Sequence, residues 1–230
     1  QYTMVRPISR LITSARRIAE GGDVDGINTE GTDELGELAR TLASMHGEIK
    51  TRVSELEDQS HFDQAFSHAV TACSSSQDLV AALSDALTVH SMYHRSPLSA
   101  VYLHDRLTNE LRLEVSHGTS SDVARSISAE VGLVGQVFTT NQSLVVGASN
   151  AEGFYVDVGL GTFEPHAVVL QPINFRGDQL GVLVVVYTVD PGQRDRQYIG
   201  NLAHQFGITV AGARQYEQLQ SLTSELEESR

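Results

Sequence analysis

His90 and His94 are the first pair of residues in this sequence whose types and spacing match a chemical task. Side chains at i and i+4 of a helix share one face, the geometry by which two imidazoles hold a transition metal. Here no cysteine or carboxylate stands at matching spacing to complete a ligand set. The pair therefore reads as a helix-end structural feature, where a basic side chain complements the helix dipole. His61 is followed by Phe62 and Asp63, whereas a phospho-accepting histidine needs an acid directly after it. Gly159-Leu160-Gly161 lies in a loop and not at a strand-to-helix turn, where such glycines admit a phosphate to a helix N-terminus. The sequence holds neither G-x-S-x-G nor His-Glu-x-x-His. Cys73 is the one cysteine, which excludes an internal disulfide and a cysteine-based zinc site. No catalytic residue, metal site or cofactor is assigned on these grounds. An aromatic group remains, with Phe154, Tyr155 and Phe163 in a loop and His166 at the start of the strand that follows. Together with Tyr102 and Phe138 they form a candidate ligand-binding wall. The same aromatics also suit closure of the core over a sheet, and the sequence leaves both readings open.

The elements that position these residues follow from the apolar spacing. Ile8, Leu11, Ala15 and Ile18 are spaced 3, 4 and 3, the seam of a coiled coil, and Pro7 sits where a first-turn proline is tolerated. Gly21 and Gly22 end that helix, and a polar connector from Asp23 to Thr32 follows. A second helix begins at a Thr32 or Asp33 cap, with acids in its first turn. Its apolar residues Leu35, Leu38, Leu42, Met45, Ile49, Val53 and Leu56 keep a heptad rhythm with a doubled spacing of 4 at Ile49 and Val53. That stutter shifts the local helix winding. Two short seam-bearing helices cannot bury their apolar edges alone, and an identical copy is the simplest partner.

From Phe62 a new apolar face begins, with Phe66, Ala69, Val70 and Cys73, and a further helix is expected from about Asp78 to His94. Ala100–His104 reads as a strand. Leu111, Leu113 and Val115 alternate with polar residues as a second, half-buried strand. A helix over Leu133–Thr140 leads to a short strand at Ser143–Val146, and residues 147–165 are expected to form a loop. His166–Asn174 and Gln179–Val189 form a hairpin whose run Leu180–Val186 is apolar on both faces, which predicts a central strand covered on both sides. A long helix from Gln193 then ends in Tyr216, Leu219, Leu222 and Leu226 at coiled-coil spacing. The fold class is α+β, with a mainly antiparallel sheet.

Net charge at neutral pH is −13, which excludes the basic footprint that nucleic-acid binding requires. Arg6, Arg10, Arg16 and Arg17 all precede the first acid, Glu20, as expected of a segment just inside a membrane. The chain starts at Gln1 and is read as a piece excised from a longer protein.

Residues Arg6-Pro7-Ile8, Arg17-Ile18-Ala19-Glu20-Gly21 and Asp33-Glu34-Leu35-Gly36-Glu37-Leu38 resemble a HAMP domain, the coupler that follows the last membrane helix of many bacterial receptors. This resemblance implies a parallel four-helix bundle built by two chains over residues 4–57, with Pro7, Glu34, Gly36, Ile49 and Val53 relaying the signal. Ala100-Val101-Tyr102-Leu103, Gly132-Leu133-Val134-Gly135-Gln136-Val137, Leu144-Val145-Val146, Leu170-Gln171-Pro172-Ile173 and Gly181–Val185 resemble a GAF domain over residues 60–216. The tail, 217–230, resembles a signalling coiled coil that leads to a kinase or cyclase, with a sensor histidine kinase favoured. The expectation is a non-catalytic signal-transduction segment of a two-component type. It would be a homodimer through its coiled-coil helices, on the cytoplasmic side of a bacterial inner membrane and tethered by an upstream transmembrane helix. The alternative is a ligand-gated sensor for a small molecule. The cysteine for covalent bilin attachment and the full signature of the cyclic-nucleotide binders are both missing.

Overall fold

A computed structural model describes residues 34–76, 78–94, 96–119, 123–147, 156–157 and 162–228. The expected first helix, its connector and Pro7 lie outside the described residues. The chain divides into two compact units, residues 1–61 and 62–230.

In the first unit the described part is helical. Helix α1 (Glu34–Ser75) opens there, directly after the expected cap, and continues without a break through the expected domain boundary near residue 60. Gly36 and Ala39 are buried. The seam residues Leu38, Met45, Ile49, Val53 and Leu56 are open to solvent in the single chain, from 47% exposed at Val53 to 65% at Leu56.

The second unit is built on a six-stranded sheet in the order β3-β2-β1-β8-β7-β4. The strands are β1 (Leu98–Asp105), β2 (Glu110–His117), β3 (Ser126–Ser128), β4 (Leu144–Gly147), β7 (Ala167–Phe175) and β8 (Asp178–Tyr187), and every pairing is antiparallel. Strands β5 (Val156–Asp157) and β6 (Thr162–Phe163) make a separate small ladder. The helices are α2 (Leu79–Tyr93), α3 (Gly132–Thr140) and α4 (Gln193–Glu228). Asp78 caps α2 by accepting from the Val80 N–H, which satisfies one of the amides the first turn leaves open. The β7–β8 hairpin turns over Arg176 and Gly177, whose φ values of +50° and +91° give the left-handed pair that a two-residue turn needs.

Strand β8 is covered on both faces, as its two-sided apolar run requires. Leu183, Val185 and Tyr187 face one apolar cluster with residues of α1, α2 and α4. Val182, Val184 and Val186 face a second cluster with Val134, Val137 and Phe138 of α3. Gly181 sits opposite Tyr102 and Leu103, where a Cβ would meet the Tyr102 carbonyl, so β1 and β8 approach as closely as they do only because this position has no side chain.

One expectation about β2 needs correction. The pairing of β1 with β2 shifts between Val101 and Tyr102, leaving Glu114 as an extra residue. A bulge of this kind reverses the facing of everything beyond it. Leu111 and Leu113 therefore pack with α3, while Val115 packs on the other face with α1, α2 and α4. Simple alternation had put all three on one side. Strands β3, β5 and β6 were also absent from the sequence reading, because two or three residues are too short to express a period of two.

Candidate functional site

Two places in the second unit gather features that a ligand or a proton can use, one on each face of the sheet. The first is an apolar cavity of about 260 Å³ beside α3, lined by Leu133, Val134, Val146, Ala167, Val168, Leu170 and Val184 among others. Glu164 is the sole charged residue among the described lining. Burial in such a space favours apolar groups and offers little to fix the orientation of a polar one.

The aromatic residues read from the sequence stand around this face in different ways. Tyr102 and Phe138 are both buried and belong to the same apolar cluster, but neither lines the cavity. The Tyr102 hydroxyl donates to the Ala124 carbonyl at 3.0 Å, and burial pushes its pKa above the ordinary phenol value. The Phe138 ring lies 4.6 Å from that of His104. His166 is exposed, and its backbone N–H donates to the Tyr187 carbonyl at 2.8 Å, next to the lining residues Pro165 and Ala167. Phe163 belongs to β6. Phe154 and Tyr155 lie outside the described residues. The structure thus joins Tyr102 and Phe138 in the core under α3. Of the relay residues, Glu34 opens α1, Gly36 is buried, and Ile49 and Val53 are exposed on the same helix.

The second place is a buried cluster of rings on the opposite face. Its core is His90 with no exposed surface, His94, and Tyr198 of α4. His90 stacks on His94 at 4.8 Å and on Tyr198 at 5.5 Å, with interplanar angles of 24° and 19°. His94 lies 4.2 Å from Tyr198, and Phe62 lies 5.4 Å from His94. Nδ1 of His94 donates to the Asp195 carboxylate at 3.2 Å. That hydrogen bond holds Asp195 below the usual carboxylate range, assisted by the Gly192 N–H at 3.0 Å. Burial, reinforced by the neighbouring His94, pushes His90 down to about 3. His90 is therefore neutral near pH 7, and a charge–dipole role at the helix end does not apply to it. The two imidazoles stack and do not converge on a common point. Among the described residues no three His, Cys, Asp or Glu side chains gather as a metal site.

Sequence reasoning located His90 and His94 but missed Asp195 and Tyr198, their partners a hundred residues on. The spacing Leu83, Ala86, Leu87, His90 already places His90 on the buried stripe of α2. No local signal in the sequence links that stripe to the first turns of α4.

The second unit is thus an antiparallel sheet with helices on both faces, entered and left by long helices. Residues 73–211, more than half of the chain, match the GAF domain model, and residues 2–51 match the HAMP domain model. The chain belongs to the GAF domain family and carries a HAMP domain ahead of its GAF domain. It is similar to methyl-accepting chemotaxis protein McpA of Bacillus subtilis (27% identical over 195 residues, 80% of this chain and 29% of that protein). It is also similar to methyl-accepting chemotaxis protein I of Escherichia coli (41% identical over 54 residues, 24% of this chain and 10% of that protein). The chain thus spans less than a third of either relative. In structure it is similar to the GAF domain from a phosphoenolpyruvate-protein phosphotransferase of Coxiella burnetii, with a TM-score of 0.60 and 17% identity over 69% of this chain and 97% of that one. That likeness concerns the fold alone.

The neutral state of His90 sets a pH dependence. An unfolded imidazole binds a proton below about 6.5, whereas the folded one resists it down to about 3. The unfolded chain then holds more protons, so stability is full above that range and falls as pH drops from about 6.5. The slope from this one group is at most about 1.4 kcal/mol per pH unit. Urea unfolding between pH 7 and 5 is expected to show this fall, and His90→Phe is expected to flatten it. Parallel profiles for the two proteins would contradict the assignment.

Proposed function

We propose that the chain is a non-catalytic signal-relay segment of a dimeric, membrane-associated bacterial receptor. The observation that carries this reading is the line of solvent-open apolar residues on α1, from Leu38 to Leu56, which one copy of the chain leaves uncovered. A second such line, Tyr216, Leu219 and Leu222, runs along the far part of α4. Apolar seams at heptad spacing are stable when a second helix covers them. A HAMP domain and two chemotaxis-receptor relatives support a second copy of this chain as that partner. In this reading, motion of an upstream membrane helix repacks the bundle around Pro7, Glu34 and Gly36. The stutter at Ile49 and Val53 passes the changed phase along α1 into the GAF domain, and α4 hands it to an output domain. Two packings within a few kcal/mol of each other suffice for such a switch. Among the described residues no helix is long and apolar enough to cross a membrane, and we assign anchoring to a segment upstream on the inner side. The tail's likeness to kinase linkers and the chemoreceptor relatives point to different outputs. We favour the receptor type named by the relatives, because that similarity extends over most of this chain.

The cavity beside α3 supports a second reading, in which a small apolar molecule bound there tips the same equilibrium. A ligand must bind one state better than the other to do so.

Sedimentation of the 230-residue chain at micromolar concentration is expected to give a dimer, and Ile49→Glu with Val53→Glu is expected to give a monomer with its GAF fold intact. A monomer in the unaltered chain up to high concentration would sink the relay reading. For the second reading, a thermal-shift screen of uncharged apolar compounds is expected to find one that raises Tm with concentration. Ala167→Phe, which fills the cavity, is expected to remove that rise. A rise that persists in Ala167→Phe would place the binding elsewhere.

A further inference from the structure

The ring cluster around His90 lies across the sheet from the cavity, and the relay reading makes no use of it. It joins three helices at one point: Phe62 from α1, His90 and His94 from α2, Asp195 and Tyr198 from α4. Its polar atoms are poorly served. Both ring nitrogens of His90, Nε2 of His94 and the hydroxyls of Tyr187 and Tyr198 are buried without a hydrogen-bond partner among the described residues. Leaving a buried donor or acceptor unpaired costs about 1–3 kcal/mol, and apolar side chains of the same shape would fill the space without that cost. One polar tie fastens the cluster to α4. His94 donates to Oδ1 of Asp195, whose Oδ2 takes the Gly192 N–H just ahead of the helix.

A cluster that is closely packed yet rich in unpaired polar atoms has a clear alternative state. Moving α4's first turns away from α2 would let water reach these atoms, at the expense of the ring stacking. It would also bring the ring nitrogens of His90 to water, where a proton settles readily. We propose that this cluster is a proton-operated latch on the exit helix: His90 accepts a proton only after leaving the cluster, so acid shifts the population toward a form in which the first turns of α4 have parted from α2.

The groups around the ring support the direction. Its immediate neighbours are a second imidazole, His94, at the end of its own helix and the Tyr198 ring from α4, and neither gives the ring nitrogens of His90 a hydrogen bond. Among the described residues Asp195 of α4 is the anion that favours a charge on it, and its two oxygens are engaged by His94 and Gly192. His117 of β2 opposes a charge on His90 as well. Tyr187 of β8 and Tyr198 are held neutral by burial, as is Cys73 of α1, whose thiol is pushed up to about 11. Tyr93 of α2 is occupied with His68 of α1, its hydroxyl 2.9 Å from Nδ1. Inside the packed cluster the loss of solvation outweighs the attraction of Asp195, so a proton on His90 is favoured outside it, in water. Below the ordinary histidine value, the open form gains up to about tenfold in population for each pH unit. The latch acts within one GAF domain and stands whether or not the chain dimerises.

Hydrogen exchange on the 230-residue chain at pH 7.5 and 5.5, corrected for intrinsic rates, tests it. Protection of residues 194–203 is expected to fall about tenfold at the lower pH and to stay below that of β8 at both values, because these turns open without the sheet. In His90→Phe, which keeps a ring but cannot take a proton, protection is expected to be equal at the two values. An equal fall in His90→Phe, no fall in the unaltered chain, or protection of residues 194–203 equal to that of β8 would each overturn the latch. Where His90→Phe does not fold, the ring C–H signals of the unaltered chain decide. The latch requires His90 to titrate over the same pH range in which α4 loses protection, and either change without the other overturns it.

Discussion

The packing of the helices that bring the chain in and take it out against one face of the sheet is the contact on which the rest of the second unit depends. Ala65, Ala69 and Cys73 of α1 share a single apolar cluster with Leu83 and Leu87 of α2 and with Ile199, Leu202, Phe206 and Val210 of α4. Strand β8 needs cover on both faces, and on this face the cover is the entry and exit helices themselves. The small residues on α1 permit close approach, so even a slight shift of that helix must be met by its neighbours. Interiors packed to this density move between discrete arrangements and do not deform smoothly. A domain built this way ties the positions of its entry and exit helices to one another.

The two faces of the sheet then separate two kinds of chemistry. Under α3 the core is apolar, Tyr102 is satisfied by the Ala124 carbonyl, and the cavity beside it carries little polarity. Under α1, α2 and α4 the core includes two histidines and two tyrosines whose polar atoms are largely unpaired. Among the described residues neither arrangement brings a nucleophile to a base. The Asp195–His94 pair has the look of half a catalytic relay, but the remaining nitrogen of His94 is buried and meets no acceptor or nucleophile among the described residues.

Much of the fold was legible in the sequence because it rests on strong local signals. The two-sided run Leu180–Val186 specified a central strand, and the heptad spacing from Leu38 to Leu56 specified a helix over those residues. What escaped was set by tertiary context. The bulge at Glu114 reassigns Val115 to the other face, and nothing in its own neighbourhood of polar and apolar residues foretells that. The candidate wall was legible only in part. Tyr102 and Phe138 were recognised as aromatic, but whether an aromatic lines a cavity or fills a core depends on strand register and on the helix above it. The partnership of His94 with Asp195 spans a hundred residues and is a product of topology alone.

The central claim, that α1 and the far part of α4 are covered by a second copy in parallel, is tested most directly by disulfide cross-linking. Single cysteines would be placed at Ile49 and Leu219 in a Cys73→Ala background, with Thr51, on the other side of α1, as the control. A disulfide requires the two Cα atoms to approach within about 7 Å. The account predicts rapid symmetric cross-linking at 49 and at 219 and little at 51. Cross-linking at 51 as fast as at 49, or none at either seam position under mild oxidation, would contradict it.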